Sequence, residues 1–124
     1  MAKFFGFACN ATLATLTRSR AGAIAKASAG AALVSAVLAE VVSVVTAEGV
    51  PVPPEVMALI RGMFSQPAST YLPSILVDME EGRPTEGEHT VGDLVDRANR
   101  RGIPVPILTA ARCSLQAYEL TRVH

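Results

Sequence analysis

AGAALVSAVLAEVVSVVTA, residues 29–47, is the stretch whose reading decides the fold. Leu33, Val37, Val41 and Val44 recur at i, i+4, i+8 and i+11, the spacing that aligns one face of an α-helix. Valines are mediocre helix formers, so strand is the competing reading for residues 41–46. The length of the run and its alanine-rich approach favour helix. Gly49 supplies a C-terminal stop, and Val50-Pro51-Val52-Pro53-Pro54 is an extended connection. From Ala27 to Ala47 the single charge is Glu40, and the run is long enough to span a bilayer. A central carboxylate is costly in lipid, and the run is rich in Ala, Ser and Gly. A buried core helix is the better reading, with a small membrane protein as the rival.

Outward from this helix the same periodicity holds. Residues 3–17 read as a helix with small residues where another helix could approach closely, and a short helical piece follows around Gly22–Ala27. Pro54 suits a first helical turn, and Val56, Leu59, Ile60 and Met63 follow as a buried face through about Phe64. Leu72, Ile75, Leu76 and Met79 repeat the spacing on the next helix, which ends at Glu81-Gly82 with Pro73 in its first turn. Thr85 stands three residues before Glu88, a capping-box pattern opening a helix to about Arg100 with Val91, Leu94, Val95 and Ala98 inside. Asp93–Arg97 and Asp96–Arg100 are favourable i, i+4 pairs outside. A last helix, from about Pro106 to Arg122, buries Ile107, Ala111, Leu115 and Tyr118. The expectation is an all-α bundle of six or seven helices, one domain over residues 1–124.

Composition narrows the function classes. Basic and acidic residues balance at eleven each, so no nucleic-acid or anionic-membrane partner is expected. The charged stretch Asp78–Arg101 reads first as a solvated face plus helix termini. Cys9 and Cys113 lie far apart, and with His89 and His124 as the histidines no zinc cluster is expected. The cysteines read as two buried thiols in a reducing, cytoplasmic setting, although a pair is open to them. MAKFFGFACNATLATL has the look of a signal peptide, but its basic region is minimal and no clear cleavage site precedes TLTRSR.

Several stretches resemble the C-terminal domain of ketopantoate reductases (2-dehydropantoate 2-reductases). They are the opening lysine with Leu16-Thr17-Arg18, Leu38-Ala39-Glu40-Val41-Val42-Ser43-Val44 continuing to Val50, and Gly102-Ile103-Pro104-Val105-Pro106. The most specific is Ser74-Ile75-Leu76-Val77-Asp78-Met79-Glu80-Glu81-Gly82-Arg83-Pro84-Thr85-Glu86. The resemblance covers essentially the whole chain in order. It implies a helical domain similar to the C-terminal domain of 6-phosphogluconate dehydrogenase. It also implies membership of enzymes that reduce 2-dehydropantoate to pantoate with NADPH, on the way to pantothenate and coenzyme A. In those enzymes an N-terminal Rossmann domain binds the cofactor.

Residue by residue, the resemblance makes Lys3 the catalytic lysine that protonates the carbonyl oxygen as hydride arrives. Glu86 becomes the glutamate that binds the substrate hydroxyl, Ser74 a serine of the substrate site, and Glu40 a glutamate near the active site. A cationic acid beside a developing alkoxide is sound chemistry. Each residue also has a plainer role: Lys3 as a solvated terminal residue, Glu86 as a carboxylate welcome at a helix N-terminus, Ser74 as a helix-start hydroxyl, and Glu40 on an outer face. Where many relatives carry asparagines four and eight residues after the lysine, this chain has Phe7 and Ala11, and Asn10 aligns with neither. That puts ketopantoate itself in doubt and leaves another 2-oxo acid open.

No Gly-x-Gly-x-x-Gly follows a strand pattern, and the chain begins two residues before the lysine. The expectation is therefore a substrate-side domain that does not hold NADPH and does not turn over alone, with a separate Rossmann-domain chain as partner and a homo-oligomer, such as a dimer, as its assembly. The rival is a non-enzymatic helical oligomerisation or interaction module derived from the same fold, using an apolar face left bare.

Overall fold

A computed structural model describes the backbone from Ala2 to Arg122 and the side chains from Phe4 to Arg122. All of its regular elements are helical. They are α1 (Ala2–Thr17), α2 (Ala21–Lys26), α3 (Gly30–Ala47), α4 (Pro54–Met63), α5 (Ser74–Glu80), a π-helical turn (Glu88–Gly92) running straight into α6 (Asp93–Arg101), and α7 (Pro106–Thr121). Three helices end alike. Gly49, Gly82 and Gly102 take positive φ, and the residues after them donate to a carbonyl five residues back: Val50 to Val45, Arg83 to Asp78 and Ile103 to Ala98. This is the Schellman ending, which satisfies last-turn carbonyls and reverses the chain.

α1 is the axis of the bundle, packing against α3, α4, α5, α7 and the π turn. Phe5, Ala8, Cys9, Ala11, Leu13 and Ala14 are buried along it. Ala8, Ala11 and Ala14 keep its flanks shallow, and interaxial distance is set by the side chains at the contact. Thr12 and Thr15 are buried as well, and Thr12 donates its hydroxyl to the Ala8 carbonyl at 2.8 Å. Cys9 sits in this interior, where desolvation pushes its thiol up to about pKa 12, so it is an inert packing group. α3 presents Val34, Val37, Leu38, Val41, Val44 and Val45 inward and Ala31, Ala32, Ser35, Ala39 and Ser43 outward. It is long and apolar enough to cross a membrane by composition, and its inner face is bundle core.

Three expectations are corrected. Leu59 is 65% exposed, because α4 turns Ile60 inward, with Phe64 buried just past its end. Cys113 is exposed on α7. The capping box at Thr85 does not close: its backbone N–H goes to Glu119 at 2.8 Å, while Glu88 pairs with Arg112 instead. The chain enters α6 through the wider π turn.

Because α1 is packed on every side but one, Ala8→Leu is expected to cost about 1–3 kcal/mol by overpacking. Leu13→Ala is expected to cost about 2–5 kcal/mol through the cavity it leaves. Urea denaturation followed by circular dichroism reads both; a loss under about 0.5 kcal/mol for each would contradict the central position of α1.

Candidate functional site

One stripe of α1 is only partly given to the core, with Phe7 exposed, Asn10 half-buried and Ala11 at its buried edge. Lys3, Phe7, Asn10 and Ala11 stand at i, i+4, i+7 and i+8 on it, the spacing of one helical stripe. The side chain of Lys3 lies outside the described residues; its backbone is in the first turn of α1, one turn before Phe7. Facing this stripe is the start of α5, where Pro73 precedes Ser74 and Ser74 is exposed. Phe7, Asn10, Ala11, Tyr71, Ser74 and Ile75 line a shallow cleft between the two. Phe7 at 39% and Tyr71 at 37% are among the few large apolar side chains left exposed, and both flank it.

Tyr71 comes from a connection with no regular structure, yet it is held at several points. Its carbonyl accepts from the Ala21 N–H at 3.2 Å, its N–H donates to the Ser69 hydroxyl at 3.2 Å, and the Asn10 side-chain amide donates to its hydroxyl at 2.8 Å. Its ring meets Phe64 edge-on, with centroids 6.4 Å apart. Arg20 donates to the Thr70 carbonyl at 3.2 Å. Gly22 allows this approach, since a Cβ there would lie 2.4 Å from the Ser69 carbonyl oxygen.

The segment after α5 is fastened in the same way. Arg83 folds back on Asp78 at 3.1 Å and also pairs with Glu81. The Tyr118 hydroxyl lies 2.6 Å from the Arg83 carbonyl and 3.0 Å from that of Asp78, with one proton to donate between them. Glu119 receives both the N–H and the hydroxyl of Thr85, at 2.8 and 3.0 Å, and Arg122 at 2.9 Å. The Thr85 N–H bond first, with the Thr85 hydroxyl and Arg122 adding to it against some desolvation, holds the Glu119 carboxyl below its ordinary range. Glu86 follows, exposed, and its carbonyl accepts from the His89 N–H and the Thr90 hydroxyl at the head of the π turn. Isolated π turns recur at functional positions.

Glu40 is engaged elsewhere. Its two oxygens accept from the N–H groups of Ile107 and Leu108 at 3.0 and 2.9 Å. Pro106 has no N–H and Val105 makes no side-chain cap, so Glu40 satisfies the first donors of α7 and meets its dipole with negative charge. Residues 107–108 and 119 are roughly 17 Å apart along α7 at 1.5 Å per residue. Glu40 therefore stands far from the Thr85–Glu86 corner, and it does not line the cleft with Ser74. Tyr71, Asn10 and Glu119 were not singled out from the sequence. The one available signal was Glu40 itself, a lone carboxylate in an apolar helix, with an uncapped Val105-Pro106 start elsewhere.

A roomier apolar cleft of about 350 Å³ opens between Phe4, Val45, Val50 and Leu94, rimmed by Glu48, Asp93 and Arg97. None of Ser74, Glu86 and Glu40 lines it, and its rim charges already pair with one another, Arg97 with Glu48 and Asp93.

The family described as "Ketopantoate reductase PanE/ApbA C terminal" matches residues 1–119. An uncharacterised oxidoreductase of Bacillus subtilis (strain 168), YkpB, is 44% identical over 46 residues, 37% of this chain and 15% of that protein. A PanE/ApbA family ketopantoate reductase from Ralstonia eutropha JMP134 superposes with a TM-score of 0.84 at 27% identity, over 99% of this chain and 41% of the other. A dimeric ketopantoate reductase from Staphylococcus aureus, at 19% identity, shares the fold with a TM-score of 0.83 over 96% of this chain and 41% of its own. A D-mandelate dehydrogenase solved with NADH and anilino(oxo)acetate, at 20%, shares it with a TM-score of 0.82 over 97% and 50%. The chain thus spans half or less of the length of these relatives.

Glu40→Ala is expected to lower stability by about 1–2 kcal/mol, the worth of a lost helix cap, with a fall in Tm on thermal melting. An unchanged Tm would contradict the cap. Because the Glu119 carboxyl is depressed in the folded state, its contribution is fully present above its ordinary value of 4.5 and is lost as pH falls through the lower folded value. Acid titration of stability in Glu119→Gln is expected to be flatter than wild type below that pH, and a slope identical to wild type would contradict the assignment.

Proposed function

This chain belongs to the ketopantoate reductase family through that family's C-terminal domain, and from this premise we propose that it is the substrate-side half of a reductase acting on small 2-oxo acids, ketopantoate among them. The observation that carries the reading is the cleft in which Ser74 meets the open stripe of α1, the stripe that begins with Lys3. Among the described residues every regular element is a helix, with no strand and glycine turn to cradle a pyrophosphate. In this reading NADPH binding is the work of a Rossmann-type partner, fused or separate.

Within that division of labour, the chain's residues bind and protonate. The Lys3 ammonium stabilises negative charge developing on the ketone oxygen and gives it a proton. The Ser74 hydroxyl, exposed at the cleft edge, donates to the substrate. Glu86 stands at the head of the π turn and does not line the cleft with Ser74; its role as acceptor for a substrate hydroxyl rests on the family resemblance alone. Glu40 serves the site only through the α7 cap. The free thiols Cys9 and Cys113 suit the cytoplasm. A homo-oligomer interface is favoured by Leu120, 86% exposed, and by the uncharged outer face of α3.

Calorimetric titration of the purified chain with 2-oxo acids is expected to show binding that weakens at least tenfold in Lys3→Ala and in Ser74→Ala. Mixing the chain with a Rossmann-type partner is expected to yield NADPH-dependent reduction that Lys3→Ala abolishes. Silence toward all 2-oxo acids, together with a tight dimer on sizing, would overturn the reading in favour of a helical interaction module.

A further inference from the structure

α7 fastens the chain after α5 at every second residue. The Tyr118 hydroxyl lies 2.6 Å from the Arg83 carbonyl, and the Glu119 carboxylate accepts both the N–H and the hydroxyl of Thr85, at 2.8 and 3.0 Å. Gly87 is buried against Leu115, where a Cβ would come within 2.6 Å of a leucine methyl carbon. Leu115 and Glu119 stand four residues apart on α7, on one face of the helix. The Thr85 hydroxyl joins the two holds, accepting from the Gly87 N–H at 3.3 Å while it donates to Glu119. A cap within the segment was open to Thr85 through Glu88, yet the chain uses a carboxylate 34 residues away.

Glu86, between the two fastened residues, is exposed. Every other acid from Glu81 to Asp96 pairs with an arginine: Glu81 with Arg83, Glu88 and Asp96 with Arg112, and Asp93 with Arg97. The Glu86 carboxylate makes no ion pair or hydrogen bond among the described residues; only its carbonyl is engaged. A backbone held on both sides beneath an unengaged carboxylate is the arrangement of a pre-organised acceptor.

We propose that Glu119 is a positioning residue for Glu86, fixing Thr85 so that the Glu86 carboxylate is set to accept a hydrogen bond from the hydroxyl of a hydroxylated 2-oxo acid. The inference rests on the reading of Glu86 given above. Glu119 acts through Thr85 and touches no substrate. Its hold is charge-assisted, with two donors of one residue on one carboxylate oxygen, so it restrains the backbone more firmly than a neutral cap. Releasing it costs only the share of affinity that the substrate hydroxyl supplies, because Glu86 must then be ordered at the moment of binding.

The test is isothermal titration of the intact chain with ketopantoate and with 3,3-dimethyl-2-oxobutanoate, the same skeleton without the hydroxyl. Wild type is expected to bind ketopantoate about tenfold more tightly, the worth of a hydrogen bond to a charged group. Glu86→Ala is expected to erase that ratio. Glu119→Ala and Thr85→Val are expected to shrink it severalfold and leave the affinity for the hydroxyl-free acid as it was. Glu119→Gln keeps an acceptor for the Thr85 N–H and is expected to retain the larger part. Thermal melts show which variants fold, and Thr85→Val, close in shape to the original, carries the test if Glu119→Ala does not. An unchanged ratio in the folded variants, or an equal loss for both acids, overturns the positioning role while the reading of Glu86 stands. If wild type shows no preference for the hydroxyl, or Glu86→Ala keeps it, Glu86 is not the acceptor and this inference falls with it. Binding of neither acid overturns the 2-oxo acid reading itself.

Discussion

Everything in this bundle depends on how closely other helices can approach α1. Its alanines at 8, 11 and 14 leave room for α3 and α7 to sit against its backbone, and Phe5 and Leu13 fill the spaces between. The remaining side of the same helix carries Phe7, Asn10 and the backbone of Lys3. The helix that organises the core is therefore the helix that presents the candidate chemistry. Rigidity at the cleft follows from packing density at the centre, because a shift of α1 would have to move buried side chains on five neighbours. Sites built on packed helices hold their geometry better than sites on loops, and here even the loop contribution, Tyr71, is fastened back to α1 and α2.

Helix positions were legible in the sequence because they rest on local rules. The apolar stripe of α3 and the glycines after α3, α5 and α6 mark interiors and ends to within one or two residues. What escaped was the partner of each polar group, since that depends on which distant segment arrives beside it. Glu40 was legible as a carboxylate out of place, but not that it would meet Ile107 and Leu108. Thr85 and Glu88 satisfied a capping-box pattern, yet Glu119 took the Thr85 N–H and Arg112 took Glu88. Leu59 fitted the inward spacing of α4 but lost the core to its neighbour Ile60, because a ten-residue helix touching the bundle along a narrow strip buries few positions. Of the candidate site, Ser74 was legible and proves to line the cleft, whereas Asn10 and Tyr71, 61 residues apart, had no shared local signal.

The charged stretch from Asp78 to Arg101 turns out to be more than a solvated face. Asp93 and Arg97 form the expected i, i+4 pair at 2.8 Å, with Glu48 joining from the end of α3. Asp96, expected to meet Arg100, instead meets Arg112 of α7 at 2.9 Å. Ion pairs this exposed add little stability one by one. Their use is geometric: Arg112 ties the π turn and α6 to α7, while Arg83 and Tyr118 tie the end of α5 to it. Together they fix the corner from which Glu86 projects.

The cap that Glu40 places on α7 spans 67 residues of chain. During synthesis, the ribosome must therefore release the last helix before the third can satisfy its own carboxylate. α1, too, lacks one of its walls until α7 has emerged. Local helices can form early, but the shared core becomes cooperative only once these distant contacts repay the entropy of closing so long a loop. The sixteen-residue α7 is the latch that closes on both α1 and α3.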